Sequence, residues 1–141
     1  MTTVSDSSPV IVAAAVVGSV AHATAAAVVS SVLFPLTALP TDLNWPYTYA
    51  LVGSLVTGGV PVILYRARRV RAPAAVVAVL GLLAAVGSWQ TLQSAAALVG
   101  PTPFGWYLLG WPVVVGSAVA AAGVELWLRS RDGRLRPGTA N

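Results

Sequence analysis

Four stretches of this chain are too long and too evenly apolar to sit in water. They run from about Val10 to Leu33, Tyr47 to Tyr65, Pro73 to Leu98 and Trp106 to Leu128. A helix needs roughly 20 residues to cross a hydrocarbon core of about 30 Å. A membrane strand would need only about 10 residues of alternating polarity, and these runs do not alternate. Apolar residues on every side of a helix mean that lipid or other helices surround it. The composition agrees: 57% of residues are hydrophobic and only 9% are charged, where a soluble domain carries about 25% charge. The sequence therefore predicts an all-α membrane protein, a single domain of four transmembrane helices in an up-and-down bundle.

The charges give the orientation. All eight basic residues are arginines, and the formal net charge is +4. Arg66, Arg68, Arg69 and Arg71 lie between the second and third runs, and Arg129, Arg131, Arg134 and Arg136 follow the fourth. The loops at 34–46 and 99–105 carry no basic residue. The positive-inside rule then places both clusters and both termini in the cytoplasm, an N-in/C-in arrangement in the cell membrane. Such clustering at the ends of apolar runs argues against nucleic acid as the partner, although a basic patch is the footprint that such binders share. Residues 1–9 are polar and lack the positive charge of a signal peptide, so the first run is expected to be retained. Residues 129–141 read as a flexible basic tail. Trp45, Tyr47, Tyr49, Trp89, Phe104, Trp106, Tyr107 and Trp111 flank the outer ends of the runs, and Tyr65 and Trp127 the inner ends, as an interfacial belt would.

Between helices in lipid, close backbone approach and hydrogen bonds supply the attraction, so small residues mark contact faces. The tripeptide VGS occurs four times, at Gly18-Ser19, Gly53-Ser54, Gly87-Ser88 and Gly116-Ser117, where composition alone would give well under one occurrence. Ala15, Ser19, Ala23 and Ala27 recur every fourth residue on the first helix, Ser54 and Gly58 on the second, and Gly116 and Ala120 on the fourth. This small-xxx-small spacing predicts the packing faces. The second and fourth runs align without gaps at an offset of 63, which points to an internal repeat of two hairpins; biased composition is the competing explanation.

Few residues could carry chemistry. His22 is the one histidine, near mid-membrane on a face shared with Gly18. It reads as a proton relay or haem ligand, or as a neutral imidazole bonded to a Ser, Thr or Gln across the bundle. Glu125 precedes Arg129 by four residues, the favourable order for an ion pair at the membrane boundary. Gln90 and Gln93, with Ser88, Thr91 and Ser94, make one end of the third helix polar. With Asp42, Asn44 and the outer aromatics they suggest a cup, or simple interfacial solvation. His22, Gln90, Gln93 and Glu125 together are the residues that could line a polar path. Gly58, Gly59 and Pro61 predict a bend in the second helix, since Pro61 cannot donate to the carbonyl of Thr57.

There is no cysteine, no phosphate-binding glycine loop and no Ser-His-Asp set, so most hydrolytic and redox chemistry lacks its parts. The expectation is a non-enzymatic integral membrane protein without a resident cofactor. It would associate by helix packing, as an accessory subunit beside a membrane-protein partner or as a homo-oligomer. A small transporter or channel with a Pro-kinked second helix is the alternative, and a haem-binding subunit using His22 is the third.

Overall fold

The computed structural model describes residues 8–33, 45–94 and 101–134. Within them the chain is helical: α1 (Ser8–Leu33), α2 (Trp45–Arg68), α3 (Ala72–Gln93), the short α4 (Pro103–Leu109) and α5 (Trp111–Arg134). Four of these helices, all but α4, are long and apolar enough to cross a membrane. No strand occurs among the described residues. The loop residues Asp42 and Asn44, the end of the third run beyond Ser94, and Arg136 in the tail lie outside them.

α1 and α2 form the tightest pair. Gly18 meets Val62, and one turn further along α1 His22 meets Gly58, one turn back along α2. Rising numbers on α1 thus pair with falling numbers on α2, so the two helices are antiparallel. Their backbones touch because neither glycine has a side chain at the crossing. A Cβ on Gly58 would stand 2.5 Å from the Gly18 carbonyl oxygen. Pro61 is buried within α2, which remains helical around it from Trp45 to Arg68.

The α2–α3 connection is only three residues long, 69–71, and turns through Arg69 in the left-handed region, φ 56°. The amide of Arg69 donates to the carbonyl of Tyr65 at 2.8 Å, closing the last turn of α2. α3 opens at Ala72-Pro73 with no side chain of its own first turn as a cap. Its acceptor comes from α5: Glu125 Oε2 accepts from the amides of Arg71 at 2.8 Å and Ala72 at 2.7 Å. Glu125 is also ion-paired with Arg129, whose guanidinium donates to the Arg69 carbonyl at 3.0 Å. One carboxylate and one guanidinium thus tie the turn to the far end of the chain.

The fourth apolar run is divided in two. The sequence suggested one helix from about Trp106, but α4 stops at Leu109 and α5 begins at Trp111. Pro112 is the reason: it has no N–H for the Leu108 carbonyl, so the ladder cannot pass through Gly110. α4 starts with Thr102 as its cap, the Thr102 hydroxyl accepting from Gly105 N at 3.2 Å. Its Phe104 amide donates to the buried Ser88 hydroxyl of α3 at 2.7 Å. Phe104 and Tyr107, three apart, face the core with Leu108, while Trp106 on the opposite side is 62% exposed. Two residues grouped with the interfacial belt are therefore core residues. The main apolar core joins them to Ala26, Leu33, Val77, Val114 and Ala118.

Candidate functional site: a cleft between α1 and α3

α1 packs along α2 and barely touches α3. The gap is a cavity of about 520 Å³. Its walls are small side chains, with Gly18 and Ala26 from α1 and Ala78, Gly81 and Ala85 from α3. Thr57 and Pro61 of α2 form its back, and α4 closes one end with Phe104 and Tyr107. Ala25, Ala74 and Leu82 on the rim are exposed, so the cleft opens sideways, toward the surroundings of the helices.

One polar pair lies in this apolar space. His22 Nε2 and the Tyr107 hydroxyl are 3.3 Å apart, with ring centroids separated by 6.2 Å. Either group can be the donor, depending on the imidazole tautomer. The tyrosine ring packs over Gly81 of α3, its hydroxyl 3.4 Å from where a Cβ would be, an ordinary contact. Phe104 stacks on Tyr107 with ring centroids 5.8 Å apart. His22 is thus held across the bundle, by a tyrosine rather than by the Ser, Thr or Gln that its surroundings in sequence suggested.

The other sequence-derived candidates fall in separate places. Gln90 and Gln93 are exposed on α3, while Thr91 and Ser94 bond to nearby carbonyls of their own helix. Glu125 bonds at the opposite end of α3, about 27 Å away at 1.5 Å per residue. His22, Gln90, Gln93 and Glu125 are not brought together. Among the described residues no cluster of three metal-ligating side chains occurs.

The small-residue positions divide into two groups. Ala15, Gly18, Ser19, Gly58 and Gly59 meet between α1 and α2, and Gly53 is a seat for the Trp111 ring with no room for a Cβ. Ser54 is buried, Gly87 faces Pro103, and Ser88 holds α4. Ala23 is half-buried and Ala27 exposed. Gly116, Ser117 and Ala120 are exposed on α5, and a Cβ on Gly116 or Gly123 would meet nothing within 4 Å. Ser54 and Ser117, equivalent at the offset of 63, make the same local bond, to the carbonyls of Ala50 at 2.9 Å and Val113 at 2.8 Å. Their surroundings nevertheless differ, one buried and one open.

Two contacts are not evident from the sequence. Tyr107 could have been found from its spacing with Phe104 and Leu108, which marks an inward face. The capping role of Glu125 was signalled only indirectly, by the lack of Ser, Thr, Asp or Asn before Ala72.

Four helices this long and this apolar are the mark of an integral membrane protein. Set against protein-family models, curated proteins and solved structures, the chain matches none.

Proposed function

We propose that this chain is a non-catalytic membrane protein that associates through its helices, as accessory subunit of a larger complex or as a homo-oligomer. The observation that supports this is the contrast among its glycines. Gly18, Gly53, Gly58 and Gly59 are all in close contact inside the chain, whereas Gly116 and Gly123 of α5 face open space. Small residues on a lipid-facing helix cost packing against lipid and gain it back when a second helix approaches. The basic clusters from Arg66 to Arg71 and from Arg129 onward support a cytoplasmic placing of that end. The test is native mass spectrometry of the chain gently extracted from its own membrane. A dimer or a heteromeric complex is expected, lost when Gly116→Ile and Gly123→Ile are introduced together. A strict monomer, or an assembly indifferent to both changes, refutes the proposal.

The cleft favours a second reading, a small carrier of lipophilic molecules, with the buried Pro61 at its back and His22–Tyr107 as its polar contact. Reconstituted alone, such a protein would move substrate, and His22→Ala would abolish that movement. A haem role for His22 would require Nε2 to leave Tyr107, and a Soret band lost on His22→Ala would reveal it.

A further inference from the structure

A second groove lies at the arginine-bearing end of the bundle, between the start of α1 and the end of α2. It has two adjoining parts. One, of about 480 Å³, is lined by Val10, Ile11, Tyr65, Arg66 and Arg69. The other, of about 560 Å³, continues along α1 past Val10, Ala14 and Val17 with Val62 and Arg66 opposite. Val10 and Arg66 belong to both. We propose that this groove binds an anionic phospholipid of the adjacent leaflet, its phosphate held by Arg66 and Arg69 and one acyl chain laid against Val10, Val17 and Val62.

Three features carry this. The first is charge. At this end Arg129 is engaged with Glu125 and the Arg69 carbonyl, and Arg131 lies 3.7 Å over the Trp127 ring. The Arg66 and Arg69 side chains instead line the groove. Arg66 stands in the last turn of α2 and Arg69 in the turn just past it, and both line the same groove; like charges brought together repel, and an anion between them removes the repulsion. Guanidinium forks also match phosphate oxygens in pairs. The second is the gradient of polarity. The groove passes from two guanidinium groups and a tyrosine, a ring suited to the headgroup level, to aliphatic walls within about 10 Å of helix rise. A free phosphate would use the first part and leave the second unoccupied; a phospholipid matches both. The third is position. Arg66 stands at the end of a membrane-crossing helix, the depth at which basic pockets between helices hold lipid headgroups.

Native mass spectrometry of the purified full chain can test this, with dioleoyl phosphatidylglycerol titrated against dioleoyl phosphatidylcholine. The tails are identical, so the difference reports the headgroup. Two arginines, each worth roughly fivefold for an anionic headgroup, give an expected preference of about thirtyfold. Arg66→Gln with Arg69→Gln should bring it below about threefold, while Arg68→Gln with Arg131→Gln, the same loss of charge, should leave it near the wild-type value. Equal binding of the two lipids by wild type, or equal losses in the two double variants, overturns the proposal. Inorganic phosphate that displaces the lipid at millimolar concentration identifies a site for free anions and also overturns it. Should the Arg66/Arg69 variant fail to fold, the wild-type chain decides alone: dihexanoyl phosphatidylglycerol should bind at least about tenfold more weakly than the dioleoyl form, and equal affinity refutes the acyl-chain seat.

Discussion

Replacing Gly58 with alanine adds one methyl group at the closest approach of α1 and α2. That methyl would lie 2.5 Å from both the Gly18 carbonyl oxygen and the His22 Cβ, where ordinary contact begins near 3.4 Å. The obstacles are a backbone oxygen and the first atom of a side chain, so no rotamer change relieves them. The helices must separate, and overpacking of this kind costs about 1–3 kcal/mol. Against it stands the helix preference of alanine over glycine, about 0.5–1 kcal/mol. On the central values Gly58→Ala should therefore destabilise the chain by about 1 kcal/mol. Gly116→Ala carries only the favourable part and should stabilise the monomer by up to about 1 kcal/mol. Unfolding of the monomeric fraction in mixed micelles of mild detergent and dodecyl sulfate, followed by circular dichroism, measures both. A Gly58→Ala chain as stable as wild type would refute the close α1–α2 crossing. Equal losses at the two positions would refute the distinction between occupied and open glycines.

Tyr107→Phe removes the hydroxyl partner of His22 and should cost about 0.6 kcal/mol, the average for a hydrogen bond between membrane helices; a double-mutant cycle with His22→Phe should return the same coupling. Ser88→Ala leaves the buried Phe104 amide without its acceptor and should cost about 1–3 kcal/mol in the same unfolding assay, with hydrogen exchange at Phe104 speeded more than at Thr57. Glu125→Ala should loosen the first turn of α3, seen as faster exchange at the Arg71 and Ala72 amides; Glu125→Gln, which keeps one carbonyl oxygen, should loosen it less, and Arg129→Gln less still.

The helices were legible because length and apolar content in a membrane chain leave few alternatives. Runs of 21 to 25 residues in the structure fall where hydropathy alone puts them. Spacing on a helix fixes which residues share a face, but not which helix that face meets, so the pairing of Gly18 with Gly58 is visible only in the structure. What escaped were relations between distant parts of the chain. The break at Gly110 depends on Pro112, a residue that in isolation is also compatible with the first turn of a helix. Tyr107 resembles an interfacial ring in sequence; only its stacking on Phe104 and its reach to His22 show it to be internal. Gly53 and Gly116 carry the same local word, and nothing local distinguishes the one under Trp111 from the one in the open. Glu125 announced its ion pair through a four-residue spacing, but its bonds to the α3 amides span more than fifty residues.

That last feature bears on the order in which the molecule can be completed. The α1–α2 crossing needs nothing beyond Arg68, so the first hairpin can close while the rest is still being synthesised. The opening amides of α3 must wait for an oxygen that emerges 53 residues later. Until α5 arrives, the second half of the molecule is inserted but not fastened, and Glu125 is the clasp that makes the nascent chain a finished one.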